Sequence, residues 1–113
     1  MPIASQDYDR ATVLMLQGEF AGEEMGTQLA KLVEQTIEER HVADFVVDFS
    51  GCSFVDSLGL ESLLAVKRRC DEHFGHVRLI NLDETCRKIL QLTRLESQFE
   101  ICHDLASAMK NLR

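Results

Sequence analysis

Tryptophan is absent from this sequence, proline occurs once, at Pro2, and no stretch is rich in glycine or serine. The composition therefore gives no sign of a linker, an internal repeat or a low-complexity segment, and 113 residues suit one domain. Hydrophobic residues make up 45% of the chain, which is enough to build a core without disulfides or metals. We expect residues 1–113 to fold as a single domain.

Positive charge is also scarce. The chain has 12 Lys and Arg against 19 Asp and Glu, so its formal net charge is −7 at pH 7. Nucleic-acid surfaces need clustered basic residues, so we expect no direct contact with nucleic acid and no attraction to anionic membranes. The one dense basic cluster, Lys67–Arg69, is predicted to be a solvated helix end, with a patch for a partner as the alternative.

Long apolar runs and the features of a signal peptide are missing too. No segment approaches the ~20 apolar residues of a membrane span. The start of the chain lacks a basic region followed by an apolar core. We therefore expect a cytoplasmic protein with no membrane association.

The four cysteines, Cys52, Cys70, Cys86 and Cys102, form no Cys-x-x-Cys pair. Their spacing supports neither a zinc site nor a thioredoxin-type motif. In a reducing compartment such residues behave as small buried hydrophobes. We expect no bound metal and no structural disulfide.

Segments typical of strands and helices alternate along the chain. The predicted strands are Ile3–Tyr8, Ala11–Gln17, Phe45–Phe49, Val77–Leu82 and Phe99–Cys102. The predicted helices are Glu23–Arg40, Leu58–Phe74 with Gly75 as its C-terminal cap, a helix capped by Asp83 that ends near Leu92, and a last helix capped by Asp104 that includes Leu112. Ser50–Ser53 is predicted to be a turn, and Asp48 is expected either to lie at the strand end or to be hydrogen-bonded.

This alternation predicts an α/β fold: a mixed, partly parallel sheet of four to five strands covered by about four helices, with an antiparallel opening hairpin. Periodic spacing predicts which side chains are buried. These are Leu29, Leu32, Val46, Val47, Leu63, Leu64, Leu79 and Ile89.

The junction Phe54–Leu60 carries the candidate site. A strand followed by an abrupt helix start brings Asp56 and Ser57 to the exposed edge of the sheet, where one of them caps the helix. Gly59 leaves room for a group to approach the free amides, and the helix dipole favours an anion such as phosphate there. The alternative is that the Asp-Ser pair serves only as a cap.

Catalysis by Ser57 has little support in the sequence. A nucleophilic serine needs a base, yet the four histidines lie near predicted element ends, and the spacing around Ser57 is not that of a Gly-x-Ser-x-Gly elbow. Gly18, Gly22 and Gly26 form no phosphate-cradling fingerprint. We expect no catalytic residue, no cofactor and no enzymatic activity.

Four segments resemble the STAS family (sulfate transporter and anti-sigma factor antagonist domains), particularly stand-alone bacterial antagonists. Leu16–Phe20 is similar to the family's L-x-G-E-L segment, and Val46–Leu60 to its central V-x-D-L-S-x-V-x-F-I-D-S-[ST]-G-L segment. Val77–Asn81 resembles the next strand, and Leu92–Ile101 the ending. The sequence departs from the pattern at Leu58, Ala21 and Arg94, where the family has a hydroxyl, an acidic residue and a glycine.

The resemblance implies a regulatory binding module, STAS-like in fold, in which Ser57 is phosphorylated. The implied partners are a serine kinase that is also an anti-sigma factor, and a phosphatase that resets the switch. The unphosphorylated module binds the kinase, and phosphorylation releases it. Residues expected to contact the partner are Asp56, Leu58, Gly59, Leu60, Glu19 and Glu23.

Two other functions remain open at this point. The chain could be a STAS scaffold or a transporter-associated subunit that is never phosphorylated, in which Ser57 serves only as a cap. A small serine hydrolase using Ser57 is the remote alternative, and an ester-hydrolysis assay would test it.

Overall fold

A computed structural model describes residues 3–110. It contains five strands, β1 (Ile3–Asp7), β2 (Thr12–Phe20), β3 (Asp44–Val55), β4 (His76–Ile80) and β5 (Glu100–Cys102). Its four α-helices are α1 (Gly22–Arg40), α2 (Ser57–Glu72), α3 (Glu84–Leu92) and α4 (Leu105–Lys110), and a short 3₁₀ helix spans Glu96–Gln98. Leu112, which was predicted to belong to the last helix, lies outside the described residues. Within them, no helix is both long and apolar enough to span a membrane.

The strands form one mixed sheet in the order β1-β2-β3-β4-β5. The β1–β2 hairpin is antiparallel, and its turn is closed by a hydrogen bond of 2.8 Å from the Tyr8 amide to the Ala11 carbonyl. The three remaining pairs are parallel, because a helix connects each strand to the next. The predicted α/β class, strand number and mixed sheet are confirmed.

The two faces of the sheet are covered unequally. Helices α1, α2 and α3 pack on one face and enclose the larger core, whose fully buried members include Phe20, Phe45, Phe49, Leu29, Leu63 and Leu79. The other face carries a smaller core of Val13, Val46, Ile80 and Ala108, closed by α4. Strands β3 and β4 are therefore buried on both sides, which explains the nearly continuous apolar run of Phe45–Phe49.

The predicted core is confirmed in most positions. Five of the eight side chains are buried, namely Leu29, Val46, Val47, Leu63 and Leu79. The other three, Leu32, Leu64 and Ile89, are only partly buried and pack against the edge of the larger core. The helical periodicity was sufficient to choose the face of each helix, but it did not separate the centre of that face from its margin.

Two strands run further than predicted. Strand β2 continues past Gln17 to Phe20, and β3 continues through the predicted Ser50–Ser53 turn to Val55. Register shifts between β2 and β3 occur at Met15/Gln17 and at Gly18/Glu19. These irregularities allow the turn-prone residues Ser50–Ser53 to remain within β3, because an irregular strand can stay paired while its local direction changes. The turn prediction was therefore wrong.

Side-chain caps fix the starts of the later helices as predicted. The Asp83 carboxylate accepts a hydrogen bond of 2.7 Å from the Cys86 amide, and the Asp104 carboxylate accepts one of 2.9 Å from the Ser107 amide. The latter bond lowers the pKa of Asp104 below its ordinary value. Each cap satisfies an amide of the first helical turn that has no partner within the helix.

The end of α2 differs from the prediction. Phe74, not Gly75, is the left-handed residue, with φ of 59°. The Phe74 amide donates to the Asp71 carbonyl at 3.1 Å and the Gly75 amide to the Cys70 carbonyl at 2.8 Å, which is a Schellman motif. Gly75 is needed for another reason, because a Cβ at this position would collide with the backbone of Ala43.

Candidate functional site

The candidate site lies at the carboxyl edge of the parallel strands. Strand β2 ends at Phe20 and β3 ends at Val55, and these two residues are register partners. The Asp56 amide donates to the Phe20 carbonyl at 3.3 Å, which ties the two strand ends together. Helices α1 and α2 both begin within two residues of these ends, so two helix N-termini meet at one point.

Asp56 connects these two helix starts. One carboxylate oxygen, Oδ1, accepts a hydrogen bond of 2.8 Å from the Gly59 amide in the first turn of α2. The other oxygen, Oδ2, accepts one of 3.0 Å from the amide of Gly22, the first residue of α1. The N-cap residue of α1, Ala21, supplies no side-chain hydrogen bond of its own. Asp56 is therefore the cap of α2 and a substitute cap for α1.

Gly59 allows α2 to lie directly against the end of β2. Its Cα is buried, and a Cβ here would collide with the Phe20 carbonyl oxygen and crowd the Phe20 ring and Val55. Any larger residue would push α2 away from the strand ends and lengthen the Asp56 bonds. Gly59 thus shapes the backbone of the site, and it offers no side chain to a partner.

Ser57 is the first residue of α2 and is exposed to solvent. Since Asp56 acts as the cap, the hydroxyl of Ser57 is not needed for capping and makes no side-chain hydrogen bond among residues 3–110. The first turn of α2, residues 57–60, carries no acidic side chain, and the carboxylate placed at this helix end is that of the N-cap residue Asp56. The hydroxyl is accessible and chemically uncommitted.

Two large apolar side chains that are exposed lie within three residues of Ser57 along the chain. Phe54 is 40% exposed and Leu58 is 39% exposed, and both are unusual in a chain with few exposed large hydrophobics. Leu60, in contrast, is 7% exposed and belongs to the larger core, so little of its side chain is open to solvent, and its contact with a partner stays a prediction. Phe54 was missed, although strand alternation held the signal: Val55 is buried, so its neighbour Phe54 faces outward.

Exposed acidic side chains lie near each of these two residues. Glu19 is exposed and sits beside Phe54 in the β2–β3 ladder. Glu23 and Glu61 are exposed and, together with Leu58, line a groove of about 590 Å³ between α1 and α2. We call the surface formed by Glu19, Glu23, Phe54, Ser57, Leu58 and Glu61 the lip. The basic cluster Lys67–Arg69 lies about 15 Å further along α2, at the 1.5 Å rise of a helix.

Other reactive side chains do not join this site. No histidine among the described residues is hydrogen-bonded to Ser57, and His41 and His73 line a groove where α1 and α2 end. No group of three or more potential ligands is placed to hold a metal ion within residues 3–110. The four thiols are free. Burial raises the pKa of Cys70 and of Cys86 to about 12, with the neighbouring Cys52 contributing at Cys86, so both stay protonated at neutral pH.

The predicted Asp48 hydrogen bonds are present near the same edge of the sheet. Its Oδ1 accepts from the Ser50 amide at 2.9 Å and from the Asn81 side-chain amide at 3.0 Å. The carboxylate of Asp48 thus holds the local bend of β3 and the end of β4 together. This role is structural, because both bonds are made to groups of the chain itself.

Comparison with known proteins identifies the family. The STAS domain model matches residues 2–108. A putative anti-sigma factor antagonist from Thermotoga maritima superposes with a TM-score of 0.87 at 20% identity, over 98% of this chain and 94% of that one. An antagonist from Mycobacterium paratuberculosis gives 0.81 at 21%, over 98% and 92%. The Bacillus protein SpoIIAA in its phosphorylated form gives 0.75 at 23%, over 98% and 99%.

The structural matches place the β1–β5 sheet and its four helices among known folds, and the family model covers nearly the whole chain. The segments Leu16–Phe20 and Val46–Leu60, on which the resemblance rested, lie in strands β2 and β3 and the start of α2, where the site is built. This chain belongs to the STAS domain family.

Proposed function

We propose that this chain is a regulatory binding module of the anti-sigma factor antagonist type, switched by phosphorylation of Ser57. Its partner is a serine kinase that also acts as an anti-sigma factor, and a phosphatase resets the switch. One observation carries the proposal: an exposed, uncommitted hydroxyl stands at the first residue of α2, next along the chain to the exposed Leu58. Among the similar proteins are anti-sigma factor antagonists, one of them in a phosphorylated form.

The fold tolerates a phosphate at Ser57. A phosphoserine adds about −1.5 to −2 charge at neutral pH. At the start of a helix, each negative charge is typically favourable by about 0.3–1 kcal/mol. Asp56 already satisfies the amides of Gly22 and Gly59, so the phosphate does not have to displace an existing cap. Phosphorylation therefore leaves the fold intact and changes the surface.

The lip sets the chemistry of the partner. A matching surface has an apolar pocket for Phe54 and Leu58 and basic side chains that face Glu19, Glu23 and Glu61. In the unphosphorylated state the apolar pair is buried against the partner. A phosphate on Ser57 must be desolvated in the same place, next to the carboxylate of Asp56. Binding weakens for this reason.

The experiment uses Ser57→Ala and Ser57→Asp as paired baits. Ser57→Ala cannot be phosphorylated, so it should retain the kinase from a native lysate, and Ser57→Asp should capture it poorly. With the captured kinase purified, calorimetry should give Ser57→Ala the affinity of the unmodified protein and Ser57→Asp at least a roughly tenfold weaker one, equivalent to about 1.4 kcal/mol. Mass spectrometry after incubation with ATP and Mg²⁺ locates the phosphate.

Ser53→Asp is the matched control, because Ser53 is also exposed, lies on β3 four residues before Ser57, and adds the same charge away from the helix start. It should weaken binding less than Ser57→Asp. Equal affinities for Ser57→Ala and Ser57→Asp, or phosphate found only on other residues, would refute the switch. A partner affinity that no substitution of Ser57 changes would favour the alternative of a STAS scaffold that is never phosphorylated.

A further inference from the structure

The most exposed large hydrophobic residue of the described chain is far from the lip. Phe74, which follows the end of α2, is 94% exposed. At 1.5 Å per residue, the 16-residue helix α2 separates it from Ser57 by about 24 Å. Phe74 therefore belongs to the opposite pole of the molecule, where α1 and α2 end and β3 and β4 begin.

The backbone of Phe74 adds a second unfavourable feature. Its φ of 59° lies in the left-handed region, where a side chain crowds the backbone and where glycine is the usual residue at this position of a Schellman motif. Neither the conformation nor the exposed ring stabilises the isolated chain. Burying the ring against a second molecule would remove its apolar surface from water, which is favourable.

An open groove of about 860 Å³ lies beside the Phe74 ring. Its apolar part is formed by the buried Ile37 and the half-buried Val42 and Ala43. The exposed ring thus lies next to a concave surface that has an apolar part and a charged rim. Such an arrangement fits itself when a two-fold axis turns one copy onto another, since each ring can enter the groove of the other copy.

The charges on the rim of the groove agree with this symmetry. Most of them are already engaged: Arg69 binds the Glu34 and Glu72 carboxylates, and an oxygen of Asp44 accepts from the His76 amide at 2.9 Å. Arg10 and Glu38 are the exceptions. Both line the groove and are exposed, and neither side chain makes an ion pair or hydrogen bond within residues 3–110.

We propose that the chain forms a two-fold symmetric dimer through this pole, with the Phe74 ring of each copy in the groove of the other and Arg10 of each copy facing Glu38 of the other. The dimer leaves both Ser57 lips exposed at its far ends. Two copies of a partner can then bind at once. The proposed dimer surface is separate from Ser57, so the dimer and the phosphorylation switch can be tested independently.

Sedimentation equilibrium of the unmodified protein, from roughly 10 µM to roughly 500 µM, tests the dimer directly. Phe74→Gly is the informative variant, because it removes the ring and also relieves the left-handed strain. It should weaken dimerisation roughly tenfold or more, as expected for a central aromatic anchor. At a concentration where both proteins are monomeric, its melting temperature should be higher than that of the unmodified protein.

Leu92→Ser is the matched control, since Leu92 is 76% exposed on α3 but does not line the groove, and it should dimerise normally. Reversing one rim charge, Arg10→Glu or Glu38→Arg, should weaken the dimer, and combining both should restore it. An unmodified protein that remains monomeric at roughly 500 µM overturns the proposal. So does a dimer that Phe74→Gly leaves unchanged, or one that Leu92→Ser weakens equally.

Discussion

Removing the carboxylate of Asp56 should destabilise the fold far more than removing the neighbouring Ser57 hydroxyl. The carboxylate accepts from the Gly59 amide at 2.8 Å and from the Gly22 amide at 3.0 Å, and so caps α2 and α1 together. A lost N-cap costs about 0.5–2 kcal/mol, and a hydrogen bond to a charged group is worth about 1.5–3 kcal/mol. With Asp56 half-buried, we expect Asp56→Ala to lower the free energy of unfolding by about 2–4 kcal/mol.

Asp56→Asn separates the two bonds. An asparagine side chain has one accepting oxygen, so it can still cap one helix, while its amide group would face the other backbone amide, donor against donor. The free energy of unfolding of Asp56→Asn should therefore lie between that of the unmodified protein and that of Asp56→Ala. Ser57→Ala, which removes no cap, should change the free energy of unfolding by no more than about 0.5 kcal/mol.

Urea denaturation at neutral pH measures all three variants against the unmodified protein, with equal m-values as the check that only stability has changed. The thermal melt should agree, with Asp56→Ala lower by about 8–16 °C at roughly 4 °C per kcal/mol for a domain of this size. Asp56 does not cap both helices if Asp56→Asn is as stable as the unmodified protein, or if Asp56→Ala lowers the free energy of unfolding no more than Ser57→Ala does.

Three further predictions concern the rest of the fold. Arg94→Gly should raise the free energy of unfolding by about 1 kcal/mol in urea, because Arg94 has a φ of 61° where a left-handed residue costs about 1–2 kcal/mol; no gain would contradict this. Leu63→Ala should cost about 2–5 kcal/mol, and Leu64→Ala clearly less, since Leu63 is fully buried and Leu64 is not; equal costs would contradict the burial difference. The hydrogen bonds from Arg69 lower the pKa of Glu34 from 4.5. The stability that this pair adds is therefore present above about pH 4.5 and is lost as the pH falls through the lowered pKa. Glu34→Gln should remove that part of the acid dependence in thermal melts measured across this pH range.

The sequence predicted the overall topology because its signals are local. Alternating apolar segments, together with the caps at Asp83 and Asp104, determined the order of strands and helices, and that order determines a mixed sheet with helical crossovers. The turn predicted at Ser50–Ser53 failed because residues with turn preferences were held in β3 by pairing with β2, which is a tertiary effect.

The motif predicted a candidate site at the start of α2, but it did not show which structural role each residue has there. The motif placed Asp56 and Ser57 together without deciding which one caps the helix. The second bond of Asp56 reaches Gly22, 34 residues earlier, and no local pattern reveals a contact over that separation. The burial of Leu60 and the exposure of Phe54 depend on how α2 packs on the strand ends, so they too required the structure.

The unequal covering of the sheet has a consequence for how the molecule opens. On the face opposite α1–α3, the side chains of Val13, Val46 and Ile80 are shielded by the six-residue helix α4, of which only Ala108 is buried. Detaching α4 breaks few contacts and leaves the larger core intact, so it should be an early subglobal unfolding event. Backbone amides of α4 should accordingly exchange with deuterium well before those of β3, and transient solvent exposure of the sheet should begin on this face.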